Sequence, residues 1–164
     1  MPRRILIALA ALASSIAWSQ QTVILVRHAE LADANGMDAK AVPLSAAGQA
    51  RASQLAKMVE KSGVAAVYAT DFMRTRATAE PSAGLLRHEV IVASQNDAQE
   101  FVARLRKEHA DQVVLVVGHS DTVPSLINAF GVPEEVKIDK ADFGNVFVVT
   151  PKNDSTASLL KLRY

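Results

Sequence analysis

Two histidines follow strand-like segments of the same design. His28 comes shortly after the apolar run Thr22–Val26, and His119 comes shortly after the apolar run Val113–Val117. Short apolar runs rich in β-branched residues are typical of strands that are buried on both faces of a parallel sheet. If these two strands are neighbours, both imidazoles lie at the sheet edge where α/β folds bind their ligands. The sequence therefore predicts one site that contains both histidines.

Arginine side chains add positive charge at the same edge. Arg27 directly follows the first buried strand, where a guanidinium is costly unless it faces an anion. Arg74 and Arg76 follow another strand-like segment, and Glu80 stands four residues after Arg76, so we interpret Arg76 as a solvated helix residue. Two histidines with Arg27 and Arg74 around one crevice are typical of a site for a tetrahedral dianion, most simply phosphate. The helix that follows the second histidine would add backbone N–H donors.

Other polar residues in these regions have structural explanations. His88 and His109 are interpreted as surface or hydrogen-bonded residues. Asp97, with Glu100 three residues on, has the spacing of a capping box at a helix start. Either Ser120 or Asp121 has the position of a helix N-cap. The predicted site therefore depends on the set of histidines and arginines, and no single member establishes it.

Strand-like and helix-like segments alternate along the chain after residue 20. The predicted strands are Thr22–Val26, Val64–Ala69, Glu89–Ala93, Val113–Val117, Val146–Val149 and Ser158–Leu162. The predicted helices are Ser45–Ser62, one from about Asp71 that is interrupted at Pro81, Asp97–His109, and one from about Asp121 to Phe130. This alternation predicts an α/β fold, a three-layer α/β/α sandwich around a mostly parallel sheet whose last two strands pair at one side. The long polar loop 31–43 follows the first strand, where it could select among substrates.

The helix predicted over residues 45–62 has signals at both ends. Ser45 can accept a hydrogen bond as the N-cap, and Gly63 stands where a helix-terminating residue is expected. Its predicted apolar stripe consists of Ala52, Leu55, Met58 and Val59.

The first residues predict an exported protein. Arg3 and Arg4 give a short basic start, Ile5–Ala17 is uncharged and mostly apolar, and Ala17 and Ser19 are small residues two positions apart. This order is typical of a secretory signal peptide, and an apolar run this short cannot span a bilayer core that needs about 20 residues. We therefore expect residues 1–19 to be a signal peptide cleaved near Ser19. Residues 20–164 would then form one domain, periplasmic or secreted, with no membrane span.

The composition excludes several classes of protein. The 164 residues suffice for one compact domain, and 49% hydrophobic with 21% charged residues is ordinary for a globular chain. The absence of cysteine excludes disulfides, cysteine-based zinc sites and thiol nucleophiles. With 18 basic and 17 acidic residues, no single-sign field indicates a nucleic-acid partner. Nothing in the pattern indicates an oligomeric state.

Four ordered segments resemble the histidine phosphatase (phosphoglycerate-mutase-like) superfamily. These segments are Arg27–Glu30, Leu44–Ala50, Tyr68–Ala79 and Gly118–Ser120. They follow the order of the family over most of residues 22–130, and the chain resembles its short, minimally decorated branch. The resemblance implies that His28 is the nucleophile that takes the phosphoryl group. It also implies that Arg27, Arg74 and His119 bind the phosphate oxygens together with His28, and that no cofactor or metal is required.

The residue types suit this chemistry by themselves, because a neutral imidazole can attack phosphorus and an arginine fork matches two phosphate oxygens. The proton donor to the leaving group is open. Asp121, two residues after His119, ranks first, and Glu100, Asp97 and Glu30 are the other candidates. Without such an acid, substrates with good leaving groups, such as phosphoanhydrides or phosphohistidine, would be favoured.

We therefore expect a metal-independent phosphohydrolase that acts through a phosphohistidine intermediate on a phosphomonoester or similar substrate. That substrate is a phosphorylated small molecule or a phosphoprotein. One alternative is a metal-dependent hydrolase with His28, His119 and Asp121 as ligands, although the fixed charge of Arg27 would repel a metal. Another alternative is a non-catalytic protein that binds a phosphorylated ligand without turnover.

Overall fold

The chain folds into alternating strands and helices, as the computed structural model shows for residues 20–152 and 155–164. The predicted signal peptide, residues 1–19, lies outside the described residues. The strands are β1 (Thr22–Arg27), β2 (Val64–Ala69), β3 (Val90–Val92), β4 (Val113–Gly118), β5 (Asn145–Pro151) and β6 (Ala157–Arg163). The helices are α1 (Ala46–Val59), α2 (Met73–Leu86), α3 (Ala98–Glu108) and α4 (Thr122–Ala129). No helix in this part of the chain is long and apolar enough to cross a membrane.

One sheet joins all six of these strands in the order β3-β2-β4-β1-β5-β6. Strands β1 to β4 are parallel to one another, whereas β5 and β6 are antiparallel and close one side of the sheet. The α/β class, the mostly parallel sheet and the pairing of the last two strands are thereby confirmed. Because β1 and β4 are neighbours with Arg27 opposite Gly118, the histidines that follow them leave the sheet side by side.

Apolar clusters cover both faces of the sheet. Alternate residues of β1 and β4 point to opposite faces, so continuous apolar runs serve both clusters. One cluster joins the sheet to α3 and α4 and includes Val23, Leu25, Val114, Val116, Phe101, Leu105, Leu126 and Phe130. The other joins it to α1 and α2 and includes Ile24, Val26, Leu115, Val117, Leu55, Val59, Ala79 and Ala83. The predicted three-layer arrangement follows from this double burial.

Helix α1 begins as predicted and differs in its end and its stripe. The Ser45 hydroxyl accepts the N–H of Gly48 at 3.1 Å, which confirms the N-cap, but the helix ends at Val59 rather than Ser62. Met58, predicted in the apolar stripe, is 41% exposed. At 100° per residue Met58 lies about 120° around the helix from the buried Ala52, so it faces solvent.

Helix α2 differs from its prediction in both start and continuity. It begins at Met73 rather than near Asp71, and it continues through Pro81 without interruption. Proline removes only one backbone N–H, and the buried residues on both sides of it, Ala79 and Ala83, pack against the sheet. Tertiary packing therefore overrides the local helix-breaking tendency at this position.

Gly48 packs against the backbone that follows the first histidine. A Cβ there would collide with the carbonyl oxygen of Glu30, which already accepts the N–H of Ser45. Because a backbone atom must shift, we expect Gly48→Ala to lower the free energy of unfolding by about 1–3 kcal/mol. Gly84→Ala is the control, because its Cβ would meet open space in α2. It should raise that free energy by about 0.5–1 kcal/mol. Urea unfolding measures both variants, and equal changes would contradict the steric explanation.

Candidate active site

His28 is held in one tautomer at the end of β1. Only 5% of its surface is exposed, and its backbone N–H donates to the carbonyl of Gly118 at 2.9 Å. Its Nδ1 lies 2.9 Å from the carbonyl oxygen of Ala29. A carbonyl can only accept, so Nδ1 carries the proton and Nε2 keeps its lone pair. The backbone thus presents the nitrogen that can act as a nucleophile.

Burial keeps both histidines of the site uncharged. Burial lowers the pKa of His28 to about 4. The hydrogen bond to Ala29 partly offsets this effect, and the positive charges of Arg27 and Arg74 add to it. Burial also lowers the pKa of His119 to about 4, and the charge of Arg74 adds to this effect. At neutral pH both imidazoles are therefore neutral when no anion is bound.

The two low pKa values can be observed directly. In NMR titrations of histidine ring signals, we expect two midpoints near pH 4, one lost in His28→Ala and the other in His119→Ala. Between pH 6.5 and 4 the unfolded chain gains protons at these positions that the folded protein does not, so they reduce stability as the pH falls. Adding tungstate, a tetrahedral oxyanion, should raise the midpoint of His119. A midpoint near 6.5 for His28 would contradict the burial argument.

A short hydroxyl relay orients His119. Its Nε2 lies 3.0 Å from Oγ1 of Thr70, which lies 2.7 Å from Oγ1 of Thr75. The Thr75 hydroxyl donates to the carbonyl of Phe72 at 2.8 Å, so the Thr70 hydroxyl must donate to Thr75. Thr70 therefore accepts from Nε2–H of His119. A second proton, on Nδ1, would turn this ring into a cation beside His28, whose ring centre lies 5.4 Å away.

Arg27 joins β1 to the segment before β5. Its Nη1 donates to the carbonyl oxygens of Asp139, Lys140 and Asp142 at 3.1, 2.8 and 3.3 Å. Its guanidinium also lies 4.1 Å from the ring centre of Phe143. These contacts hold the side chain beside His28, and only 8% of Arg27 is exposed.

Arg74 approaches from the first turn of α2. Its Nη1 donates to the carbonyl of Ala39 at 2.6 Å, and its guanidinium lies 4.1 Å from the ring centre of Phe72. In the described part of the chain, the Nε atoms of both Arg27 and Arg74 are buried without a hydrogen-bond partner. Buried donors on a cation are costly when unpaired, so this pair is suited to an oxyanion.

A cavity of about 910 Å³ opens over the ends of the parallel strands. Of the predicted residues it is lined by His28, Arg74, His119 and Asp121, whereas Arg27 lies beside it rather than in its wall. Sequence reasoning did not single out several other lining residues, which are Lys40, Thr70, Asp71, Phe72, Gln95 and Lys140. Thr70, Asp71 and Phe72 lie within one of the segments that carry the family resemblance, so that segment could have identified them as residues of the site.

The carboxylate candidates differ in their positions. Asp121 lines the cavity and accepts the N–H of Thr122 at 2.8 Å, so it also serves the local start of α4. Glu30 is bound by both oxygens to Arg51, at 2.7–2.9 Å, and the hydrogen bonds from Arg51 lower its pKa. Asp97 accepts the N–H of Glu100 at 2.9 Å, as a helix cap does.

Among the described residues, only two carboxylates line the cavity, Asp121 and Asp71. Asp71 pairs with Lys40 at 2.5 Å, and this hydrogen bond lowers its pKa. Neither Asp97 nor Glu100 lies in the cavity wall. Of the four predicted proton donors, Asp121 is therefore the one that the fold brings to the site.

The start of α4 supplies fewer free donors than expected. The N–H of His119 donates to Oγ1 of Thr122 at 2.8 Å, and the N–H of Thr122 goes to Asp121. Oγ1 of Thr122 in turn donates to Gln95, whose buried Nε2 donates to the carbonyl of Val117. Both amides are used within the turn, so here they position His119 instead of facing the cavity.

The remaining predicted residues lie elsewhere. The His109 ring bonds to Tyr68 and Gln112, and the exposed His88 bonds to the carbonyl of Val64; neither lines the cavity. Arg76 is exposed, as expected for a solvated helix residue. Over residues 20–152 and 155–164, no three histidine, aspartate or glutamate side chains are grouped as a metal site. The alternative ligand set of two histidines and Asp121 is thus not assembled.

Comparisons with known proteins agree with this architecture. Residues 23–95 match the model of the histidine phosphatase superfamily, branch 1. The fold superposes on the protein histidine phosphatase SixA complexed with tungstate, with a TM-score of 0.72 and 20% identity over 87% of this chain and 96% of that one. For Bacillus stearothermophilus YhfR the TM-score is 0.67, with 18% identity over 85% and 95%. For an Entamoeba histolytica phosphoserine phosphatase mutant bound to phosphoserine, the TM-score is 0.64, with 13% identity over 85% of this chain and 94% of that one. The comparison with curated sequences gives no match.

Proposed function

Because residues 23–95 match the histidine phosphatase superfamily and the whole fold agrees with it, we propose that the chain is a phosphatase of this superfamily that works through a covalent phosphohistidine on His28, without a metal ion. One observation carries this proposal. The free Nε2 lone pair of His28 stands beside two guanidinium groups whose buried Nε donors have no partner in the described chain. A phosphoryl group would satisfy these donors while it meets the nucleophile.

The proposed reaction has two balanced steps. Nε2 of His28 attacks phosphorus while the bond from phosphorus to the leaving atom breaks. That atom, an ester or anhydride oxygen or the imidazole nitrogen of a phosphohistidine, takes a proton from the carboxyl group of Asp121. Water then attacks the phosphohistidine, releases phosphate and returns a proton to Asp121. Arg27 and Arg74 stabilise the negative charge spread over the phosphoryl oxygens in both steps. His119 adds to this stabilisation when the bound dianion draws a proton from solvent onto its Nδ1.

The substrate is proposed as a class. The cavity of about 910 Å³ has room for a leaving group beyond the phosphoryl group. Structural neighbours include a protein histidine phosphatase and a phosphoserine phosphatase, which support phosphoproteins and phosphorylated small molecules alike. Asp121 is exposed and already accepts the N–H of Thr122, so substrates whose leaving groups depart readily, such as phosphohistidine and phosphoanhydrides, are favoured.

Export is a further part of the proposal. The basic start, apolar run and small residues of the first 19 positions support a signal peptide cleaved near Ser19. Cell fractionation followed by N-terminal sequencing should find the chain outside the cytoplasm, beginning near Gln20. Recovery from the cytoplasm with Met1 still present would contradict export.

Hydrolysis of para-nitrophenyl phosphate with and without EDTA tests the activity and the absence of a metal. We expect turnover that EDTA leaves unchanged, because arginines supply the positive charge. Loss of turnover with EDTA, restored by a divalent metal, would contradict the metal-independent route. No turnover in either condition would favour a protein that binds a phosphorylated ligand without cleaving it.

A further inference from the structure

The segment Asp139–Phe143 is anchored next to the nucleophile. Three of its carbonyls accept from Arg27, and Phe143 packs on the same guanidinium. The side chain of Asp142 forms two hydrogen bonds of 2.9 Å with Arg163 of β6. The segment is therefore tied to β1 on one side and to β6 on the other, which restricts its backbone.

Lys140 occupies the tip of this segment. The N–H of Asp142 donates to the carbonyl of Asp139 at 3.0 Å, which closes a turn with Lys140 at its second position. The carboxylate of Asp139 accepts the N–H of Ala141 at 2.8 Å and stabilises the same turn. The carbonyl of Lys140 points to Arg27, and its side chain lines the catalytic cavity. Arg27 thus holds the backbone of Lys140, and with it the point from which this side chain extends into the cavity.

The positive charge of Lys140 has no ion-pair partner among the described residues. In the described part of the chain no carboxylate pairs with it, whereas the other lysine of the cavity, Lys40, pairs with Asp71. The opposite end of the cavity, formed by the loop after β3, is lined by the uncharged residues Val92–Asn96. The cavity therefore has one cationic end, beyond β1, and one neutral end.

We infer that Lys140 forms a second anion subsite, which selects substrates carrying a further anionic group, such as a carboxylate, close to the scissile phosphate. This inference rests on the proposed phosphatase function. The reacting phosphoryl group occupies Arg27, Arg74 and the two histidines, so it leaves Lys140 free for another charge. Asp71 does not oppose that charge because Lys40 neutralises it. Asp121, at the start of α4, interacts through its negative charge with Arg74 and His119 instead.

Matched substrates isolate this second charge. The 3- and 4-carboxyphenyl phosphates and the corresponding carbamoylphenyl phosphates have the same shape, but only the first pair carries the additional negative charge. We would measure kcat/KM for all four with the wild type and with Lys140→Gln and Lys140→Glu. Lys137→Gln is the control, because Lys137 lies in the same connection, pairs with Glu135 and does not line the cavity. Turnover of para-nitrophenyl phosphate reports separately whether the enzyme is active.

For at least one carboxylate position, the wild type should prefer the carboxyphenyl substrate over its amide. Lys140→Gln should reduce that ratio about tenfold, in line with loss of a charged hydrogen bond. Lys140→Glu should reduce it further, and Lys137→Gln should keep the ratio of the wild type. Equal ratios in the wild type and both Lys140 variants, with para-nitrophenyl phosphate still hydrolysed, would overturn the subsite alone. Absence of all turnover would instead overturn the proposed function on which it rests.

Discussion

Replacement of His28 with alanine is expected to reduce turnover of para-nitrophenyl phosphate by about 10⁴-fold or more, the scale seen when an enzyme loses its nucleophile. The loss follows from the proposed mechanism, in which the covalent bond forms at Nε2 of His28. His119, the other histidine of the cavity, bonds to Thr70 through its Nε2. It therefore lacks the backbone-fixed tautomer that leaves Nε2 of His28 free.

A matched histidine and a binding measurement make this prediction specific. His88→Ala removes an exposed histidine outside the cavity and should leave turnover within about twofold of the wild type. Calorimetry with tungstate should show that His28→Ala still binds an oxyanion, because both arginines remain. A His28→Ala protein that binds tungstate and keeps more than a tenth of the wild-type rate would exclude His28 as the nucleophile.

Replacement of Arg74 with alanine is expected to lower kcat/KM for the same substrate by about 100- to 1,000-fold, or about 3 kcal/mol of transition-state stabilisation. Its unpartnered Nε and its place in the cavity wall give it a preorganised donor for the transferring phosphoryl group. Arg74→Lys should recover only part of the loss, because an ammonium cannot present a fork to two oxygens.

Arg76→Ala is the control for Arg74, since Arg76 is exposed two residues later in the same helix. Its kcat/KM should stay within about twofold of the wild type. Arg27→Ala should lose activity on the scale of Arg74→Ala and also lose stability, because three carbonyls of the segment Asp139–Phe143 lose their donor. Equal activity of Arg74→Ala and Arg76→Ala would remove Arg74 from the proposed phosphate site.

The fold, and the two histidines at the centre of the site, could be predicted from the sequence for a physical reason. The apolar runs of β1 and β4 are long enough to be buried on both faces, and parallel strands bring their C-terminal ends to one edge. That geometry places His28 and His119 with ring centres 5.4 Å apart. Helix ends were less predictable, as α2 shows, because packing around Pro81 decides where that helix continues.

The residues of the outer cavity could not be predicted from local sequence patterns. Lys140 lies in an irregular turn whose backbone is fixed by Arg27, 113 residues earlier in the chain. The buried Gln95 donates to the carbonyl of Val117 and accepts a hydrogen bond from the hydroxyl of Thr122. No residue spacing in the sequence predicts this network. The rejection of Glu30 as a proton donor likewise required its distant partner, Arg51. Such contacts between separate elements appear only once the sheet is assembled.

The most direct test of the central claim is to trap the covalent intermediate. The protein would be mixed with a ³²P-labelled phosphorylated substrate, denatured within milliseconds and digested for mass spectrometry. We predict a label that is stable in alkali and lost in acid, as a phosphoramidate is, located on the peptide that contains His28 and absent from His28→Ala. A label on another residue, or rapid turnover with no labelled protein at any time, would contradict the phosphohistidine mechanism.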